Sequence, residues 1–228
     1  MNSSKKSILN SNFTYLAAFV LPVIMMMALY YTRGIFPWGN ECYLRSDMYH
    51  QYAPFFSELW HKIRNGESLT YSWNIGMGTN FTSLFAYYLA SPSNWFVALF
   101  PQKYTIEIMN AFIILKIAGS SLSLTYYLTK HNNNKHVIAA IFGIFYGMSG
   151  FIAAYSWNIM WLDCVILIPL IMLGLERLVN ENRCIFYCIT LGLCIFTNYY
   201  IAIMVCLSVV IYYVVLMIAY NGIKSPMQ

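Results

Sequence analysis

Two aspartates and the polar side chains near them are the parts of this sequence best suited to chemistry. The segment Arg45-Ser-Asp-Met-Tyr-His-Gln-Tyr-Ala-Pro-Phe-Phe56 sets a carboxylate (Asp47) three and four residues before an imidazole (His50) and a carboxamide (Gln51). If Asp47 opens a helix, that spacing puts all three on one face. A carboxylate with an imidazole beside it can accept a proton from a hydroxyl. The same Asp47 can equally serve as an N-cap, its oxygens taking free backbone N–H groups ahead of an amphipathic helix at the membrane surface. Asp163 begins another apolar run, where a carboxylate again favours a helix N-terminus. Lys116 lies well inside an apolar run. A charge there costs at least ~2.5 kcal/mol on insertion scales. It therefore faces protein or a water-filled cavity, or its ammonium snorkels to the surface.

A short repeat adds further candidates. Tyr71-Ser-Trp-Asn-Ile75 recurs as Tyr155-Ser-Trp-Asn-Ile159, and the second copy leads into Met-Trp-Leu-Asp163. Two similar turns would each hold an indole and a carboxamide, Trp73 with Asn74 and Trp157 with Asn158, over a sugar or a lipid headgroup. Interfacial aromatic anchors would read the same way. The separation of the copies is far too long for a solenoid repeat. The sequence contains no phosphate-binding loop, no HExxH and no GxSxG, so soluble nucleotide-dependent and zinc-hydrolase chemistries have no foothold.

The elements that must hold these residues are membrane helices. Of the 228 residues 60% are hydrophobic and 9% charged, which excludes both a soluble globular domain and a disordered chain. The 13 lysines and arginines stand in pairs between apolar runs, the pattern of cytoplasmic loops and not of a nucleic-acid surface. The six cysteines form no CxxC pair. Cys184 and Cys188 share a helix face, and a Cys42–Cys164 bridge is open but unsupported.

A crossing needs about 20 apolar residues. Six spans are expected, at about 13–31, 106–128, 137–154, 164–178, 184–197 and 199–219, in a single transmembrane domain over 1–228. The stretch Cys184 to Ala219 would reach about 54 Å as one helix, so it is divided at Thr197 and Asn198. Lys5 and Lys6, Lys130 and Lys135, Arg177 and Arg183, and Lys224 then share one side, which the positive-inside rule makes cytoplasmic. Phe81 to Phe100 is apolar enough to cross, but Ser91-Pro92-Ser93-Asn94 breaks it. Two short interfacial helices are expected there, within one external segment from about 34 to 105. The fold class is all-α and polytopic, with both termini cytoplasmic. The last apolar run stops just before Gln228, so the chain is expected to be the front part of something longer.

At four places the text resembles a known family. Asp47-Met-Tyr-His-Gln-Tyr-Ala-Pro-Phe-Phe56, Tyr71-Ser-Trp-Asn-Ile-Gly-Met-Gly78, Leu84-Phe-Ala-Tyr-Tyr-Leu-Ala-Ser-Pro92 and Tyr155-Ser-Trp-Asn-Ile-Met-Trp-Leu-Asp163 are similar to segments of the YfhO family of bacterial membrane proteins. The resemblance implies a GT-C type glycosyltransferase of the bacterial cytoplasmic membrane, with its active side external. Such an enzyme takes a sugar from a polyprenyl-phosphate carrier and places it on a surface polymer such as teichoic acid. It implies Asp47 as the base toward the acceptor hydroxyl or the group that positions it, and Asp163 as a second acidic contact; the chemistry would let His50 assist Asp47. Arg45 or Lys116 would meet the departing phosphate. Tyr49, Gln51, Trp73, Asn74, Trp157 and Asn158 complete the expected substrate contacts. A divalent cation is compatible with this but has no motif of its own. Membrane lipids, the carrier and the polymer are the expected partners. Two other classes remain open, a lipid or sugar transporter with Lys116 at its midplane, and a non-catalytic subunit that completes another membrane enzyme.

Overall fold

The structure is a computed structural model and describes residues 2–133 and 137–224. Nine α-helices are found among the described residues: α1 Asn2–Thr32, α2 Ala53–Asn65, α3 Phe81–Leu84, α4 Thr105–His131, α5 Val137–Gly147, α6 Gly150–Tyr155, α7 Leu162–Glu181, α8 Ile185–Thr197 and α9 Tyr199–Lys224. The two β-strands, β1 Tyr71–Ser72 and β2 Thr79–Asn80, form one short antiparallel hairpin. The chain is an all-α polytopic membrane protein.

Four helical stretches are long and apolar enough to cross a bilayer, at Asn12–Thr32, Gln102–His131, Val137–Tyr155 and Tyr199–Ala219. The third is α5 and α6 together, bent at Met148 and Ser149. The other two expected spans correspond to α7 and α8. Helix α7 has 20 residues, about 30 Å at ~1.5 Å per residue, but it carries Asp163 in its first turn and Glu176, Arg177 and Glu181 toward its end. Helix α8 has 13 residues and reaches only about 20 Å.

Helix α4 is the centre of the bundle and packs against α1, α5 and α7. The second half of its buried face is a run of small and hydroxyl residues, Ala118, Ser120, Ser121, Ser123 and Thr125, after the larger Ile108, Met109, Ile113 and Ile117. This lets backbones approach closely. A Cβ on Gly147 of α5 would stand 2.8 Å from the Ile117 carbonyl oxygen, and one on Gly143 would stand 2.5 Å from that of Ser121. The spacing is that of a GxxxG contact, in which van der Waals packing replaces the hydrophobic drive that lipid does not supply. The outer faces are apolar and exposed, as at Leu207, Val210, Ile211 and Val214 of α9. In a membrane these meet lipid.

Long helices consecutive in the chain run antiparallel, whereas α4 and α7 run parallel, with Lys116 beside Asp163 and Tyr127 beside Glu176. Tyr15 near the start of the apolar part of α1 bonds Thr129 near the end of α4 at 2.7 Å. Cys164 at the start of α7 lies against Cys194 and Asn198 at the end of α8. At the opposite end Glu176 accepts hydrogen bonds from Tyr127 of α4 and Tyr212 of α9, with His131 also beside it. Residues 34–105, 156–161 and Asn198 therefore gather at one end of the bundle, here the loop end. The α4–α5 and α7–α8 connections lie at the other. The α8–α9 turn falls at Asn198, whose backbone is extended. Its Oδ1 accepts the Ile201 N–H at 2.9 Å, capping α9.

The Phe81–Phe100 stretch does not form one helix. It divides into α3, a π-helical turn over Phe85–Leu89 and a 3₁₀ segment over Pro92–Leu99. Both ends rest on α2: Lys62 lies 5.2 Å from the centre of the Phe81 ring, and the Trp60 indole donates to the Phe100 carbonyl. The stretch leaves and returns at the loop end. Trp95, Phe96, Leu99 and Phe100 are exposed there, a composition suited to the membrane interface. Cys42 and Cys164 are both free thiols, the first exposed and the second buried, so they are not bridged.

Lys130, Arg177 and Arg183 lie at the end opposite the loop. Lys135 lies outside the described residues, as do the side chains of Lys5, Lys6 and Lys224. By the positive-inside rule this end is the one expected to be cytoplasmic. With the native cysteines replaced, a cysteine at exposed Asn65 is expected to react with an impermeant thiol reagent in intact cells, and one at exposed Asn133 is not. Labelling at Asn133 alone would reverse the orientation. Asn158 is unsuited to this measurement because it is 2% exposed.

Candidate functional site

After α1 the chain turns back on itself, with Glu41 N–H donating to the Gly34 carbonyl at 3.0 Å. It then runs past Arg45 to Ser46, whose φ of 46° lies in the left-handed region that a residue with a Cβ seldom occupies. Such conformations tend to collect at functional sites. Here the turn lies between Arg45 and Asp47.

Asp47 is not an N-cap. Its own backbone is helical (φ −63°, ψ −19°) and its side chain makes no capping bond. A capping carboxylate needs an extended backbone to reach the first N–H groups. Those of Met48 and Tyr49 are already taken by the carbonyls of Arg45 and Ser46, at 2.9 and 3.2 Å. The residues that follow, Met48–Tyr52, form a π-helical turn, whose hydrogen bonds reach one residue further than those of an α-helix.

That wider turn explains why the expected trio does not assemble. Gln51 turns to the aromatic residues, its Oε1 accepting from Tyr88 OH at 3.0 Å. His50 is rotated away; it meets Tyr49 edge-on, and both line a separate cavity with Pro54 and Lys103. His50 is thus not placed to assist Asp47, and Tyr49 belongs to the same outer surface.

Beside Asp47 lies a shelf of aromatic rings. Tyr52 stacks on Trp157 with ring centres 6.4 Å apart and 17° between planes, and it packs against Tyr88 at 5.5 Å. Tyr87 continues the shelf to Tyr199, and Trp161 stacks on Tyr200. Burial raises the Tyr52 phenol above its usual pKa, with Tyr88 and then the Asp47 charge adding to the effect. The Tyr88 phenol is raised by burial first and Asp47 second. Both stay protonated and can donate hydrogen bonds. Tyr52 OH donates to Asn158 Oδ1 at 2.7 Å, and Tyr43 OH shares a 2.6 Å bond with Ser156 Oγ. Two donors in the same loop, Asn158 Nδ2 and Trp161 Nε1, are buried with no partner among the described residues. Unmet buried donors are costly, about 1–3 kcal/mol each, and a ligand oxygen would satisfy them.

The two copies of the repeat differ in structure. The first forms the β1–β2 hairpin, where Asn74 Nδ2 donates to Glu58 Oε2 at 3.0 Å and Ser72 Oγ to Glu58 Oε1 at 2.6 Å. Lys62 holds the same hairpin through the carbonyls of Ser68 and Tyr71. Asn74 is therefore spent on anchoring the hairpin to α2. Trp73, 77% exposed, packs edge-on against Tyr71. Only the second copy, with Trp157 and Asn158, reaches the Asp47 shelf. The reason is context: buried Glu58 and Lys62 capture the first copy, whereas the second follows α6 directly.

Arg45 lines a cavity of about 440 Å³ with Arg33, Glu41 and Tyr43, floored by Met26, Leu29 and Ile152 from the spanning helices. Arg33 has no motif around it; its position at the end of α1 is the sole signal in the sequence. The cavity presents two guanidinium groups above an apolar floor.

Lys116 and Asp163 find each other. Lys116 Nζ donates to Asp163 Oδ2 at 2.6 Å, with the two side chains 5% and 15% exposed, and also to the Ile159 carbonyl and Ser91 Oγ at 3.3 and 3.4 Å. This is a buried pair joining α4 to α7. Lys116 faces protein, so it does not snorkel, and a lipid phosphate would have to displace a carboxylate to reach it. Asp163 is correspondingly held by a cation and is not a free base. Asp47 and Asp163 do not fit a shared metal site, because Lys116 occupies the second carboxylate. Among the described residues no group of three or more His, Cys, Asp and Glu side chains is arranged to hold a metal ion.

No curated protein and no solved structure matches this sequence. A protein family described as Bacterial membrane protein YfhO matches residues 17–228. With nearly the whole chain inside that match, including Asp47, the aromatic shelf and the Lys116–Asp163 pair, the chain belongs to the YfhO family of bacterial membrane proteins.

Proposed function

We propose that this chain forms the catalytic membrane part of a glycosyltransferase that moves a sugar from a polyprenyl-phosphate carrier to a cell-surface polymer such as teichoic acid. The observation that carries this reading is the cavity at the loop end, where Arg33 and Arg45 stand over an apolar floor only two residues from the uncapped Asp47. An amphiphile with an anionic head and a long hydrocarbon tail is what such a cavity suits. The loop end faces outward in this proposal, in the bacterial cytoplasmic membrane.

The chemistry asks for little. The sugar's anomeric carbon is already bonded to a phosphate oxygen. The acceptor hydroxyl forms the new bond to that carbon, the old carbon–oxygen bond breaks, and the lipid phosphate leaves with the electron pair. Asp47 takes the hydroxyl proton. Arg45 and Arg33 stabilise the charge gathering on the phosphate. Tyr52 and Tyr88, whose O–H groups are engaged by Asn158 and Gln51, offer ring faces and hydroxyl oxygens to the sugar, and Asn158 Nδ2 and Trp161 Nε1 are the donors left for it. The transporter reading is weakened, because Lys116 is engaged by Asp163 and gives no open midplane contact.

Binding of a polyprenyl phosphate to the full-length protein in nanodiscs tests the cavity. Arg33→Gln and Arg45→Gln are each expected to weaken it by about 10- to 100-fold, the worth of a charge-assisted hydrogen bond. Unchanged affinity in both, with transfer intact, overturns the reading.

A further inference from the structure

Beside the arginine-lined cavity, and sharing its Glu41 wall, is a second cavity of about 250 Å³ between the Phe36–Cys42 loop and the first turns of α4. Its chemistry is opposite. Glu107 and Asn110, three residues apart on one helical face, line it from α4. Asn110 is 4% exposed and its Oδ1 is buried without a partner, and Glu107 Oε2 is likewise buried without a partner. Glu41 and Asn40 line the facing wall. No lysine, arginine or histidine lines the cavity. Two carboxylates and two carboxamides, the Asn40 and Glu41 pair exposed and the Asn110 side chain buried, thus line one cavity with no cationic side chain among them.

A place in the first turn of α4 explains an acidic residue at 107 through the helix dipole. It does not explain why the carboxylate oxygen is buried unpaired, nor why Asn110 joins it. A water molecule could donate to both oxygens but would leave the charge uncompensated. From this we infer that the cavity binds a hard divalent cation of the calcium class, with Glu41, Glu107 and the Asn110 side-chain oxygen as ligands and Asn40 in reach. Calcium accepts irregular sets of carboxylate, amide and carbonyl oxygens, whereas magnesium demands a near-octahedral shell that keeps its waters. The site joins the loop to α4 through Glu41, and so fixes the wall of the arginine-lined cavity. It does not depend on the proposed sugar transfer.

The test uses the purified full-length protein, stripped with a chelator, with calcium binding followed by titration calorimetry and by melting temperature. Saturable binding with a dissociation constant at or below the millimolar range of extracellular calcium modules is expected, with the melting temperature rising as calcium is added. Glu107→Gln is expected to weaken calcium binding at least tenfold, yet to leave the melting temperature of the calcium-free protein equal or higher, because it removes an unpaired charge. Asn110→Ala should weaken binding separately. The absence of saturable calcium binding, preference for zinc through Cys42, or unchanged calcium affinity in Glu107→Gln would each overturn the assignment.

Discussion

Asp47→Asn is expected to lower sugar transfer by ~10²–10⁴-fold, the range typical for loss of a general base, while leaving the protein inserted and its melting temperature nearly unchanged. The side chain makes no capping bond, so replacing it removes charge and basicity without removing a contact. Asparagine also keeps the shape and one oxygen. The measurement needs the full-length protein, a polyprenyl-phosphate sugar and an acceptor polymer, with transfer read directly and donor binding read alongside. Reduced transfer with unchanged donor affinity assigns Asp47 to the chemical step. Near-normal transfer would remove it from the mechanism. Asp163 is then a poor substitute, because Lys116 already holds its carboxylate.

The second large effect is on stability. Lys116→Met leaves Asp163 buried without its cation, and breaking such a pair costs about 3–5 kcal/mol. A sharply lower melting temperature is expected for Lys116→Met and for Asp163→Leu. The double variant is expected to recover most of the loss, since neither charge then remains to be compensated. Donor affinity in the folded double variant distinguishes the two roles of the lysine. If Lys116 chiefly meets the lipid phosphate, the single variant keeps its melting temperature and loses donor affinity instead.

Much of the architecture is legible locally. The apolar stretches mark the spanning helices, Thr197 and Asn198 mark the α8–α9 break, and Pro92 marks the point where Phe81–Phe100 fails to continue. These signals work because helix length and breakers act over a few residues. The site is less legible because its partners are distant. Nothing near Lys116 announces Asp163, which sits 47 residues away on another helix. Likewise nothing in Tyr71-Ser-Trp-Asn-Ile75 announces that Glu58 will take its asparagine and serine. The rotation of His50 away from Asp47 follows from a π-helical turn, and α-helical spacing read from sequence assumes four-residue hydrogen bonds. Arg33 stands alone at the end of an apolar run, and only the returning loop makes it half of a pair with Arg45.

The Lys116–Asp163 pair also constrains the order of assembly. The chain is made from its N-terminus, so the ammonium of α4 enters the membrane before its carboxylate has been synthesised, 47 residues later. During that interval the helix carries an uncompensated cost of about 2.5–3.5 kcal/mol, although α4 is already the least apolar of the four long spans. Its early partners are α1, reached through Tyr15 and Thr129, and then α5, whose Gly143 and Gly147 press against it. These contacts must hold α4 in place until α7 arrives. The arrival of α7 therefore neutralises the core of the bundle as well as completing its packing, and couples the first half of the chain to the second during biogenesis.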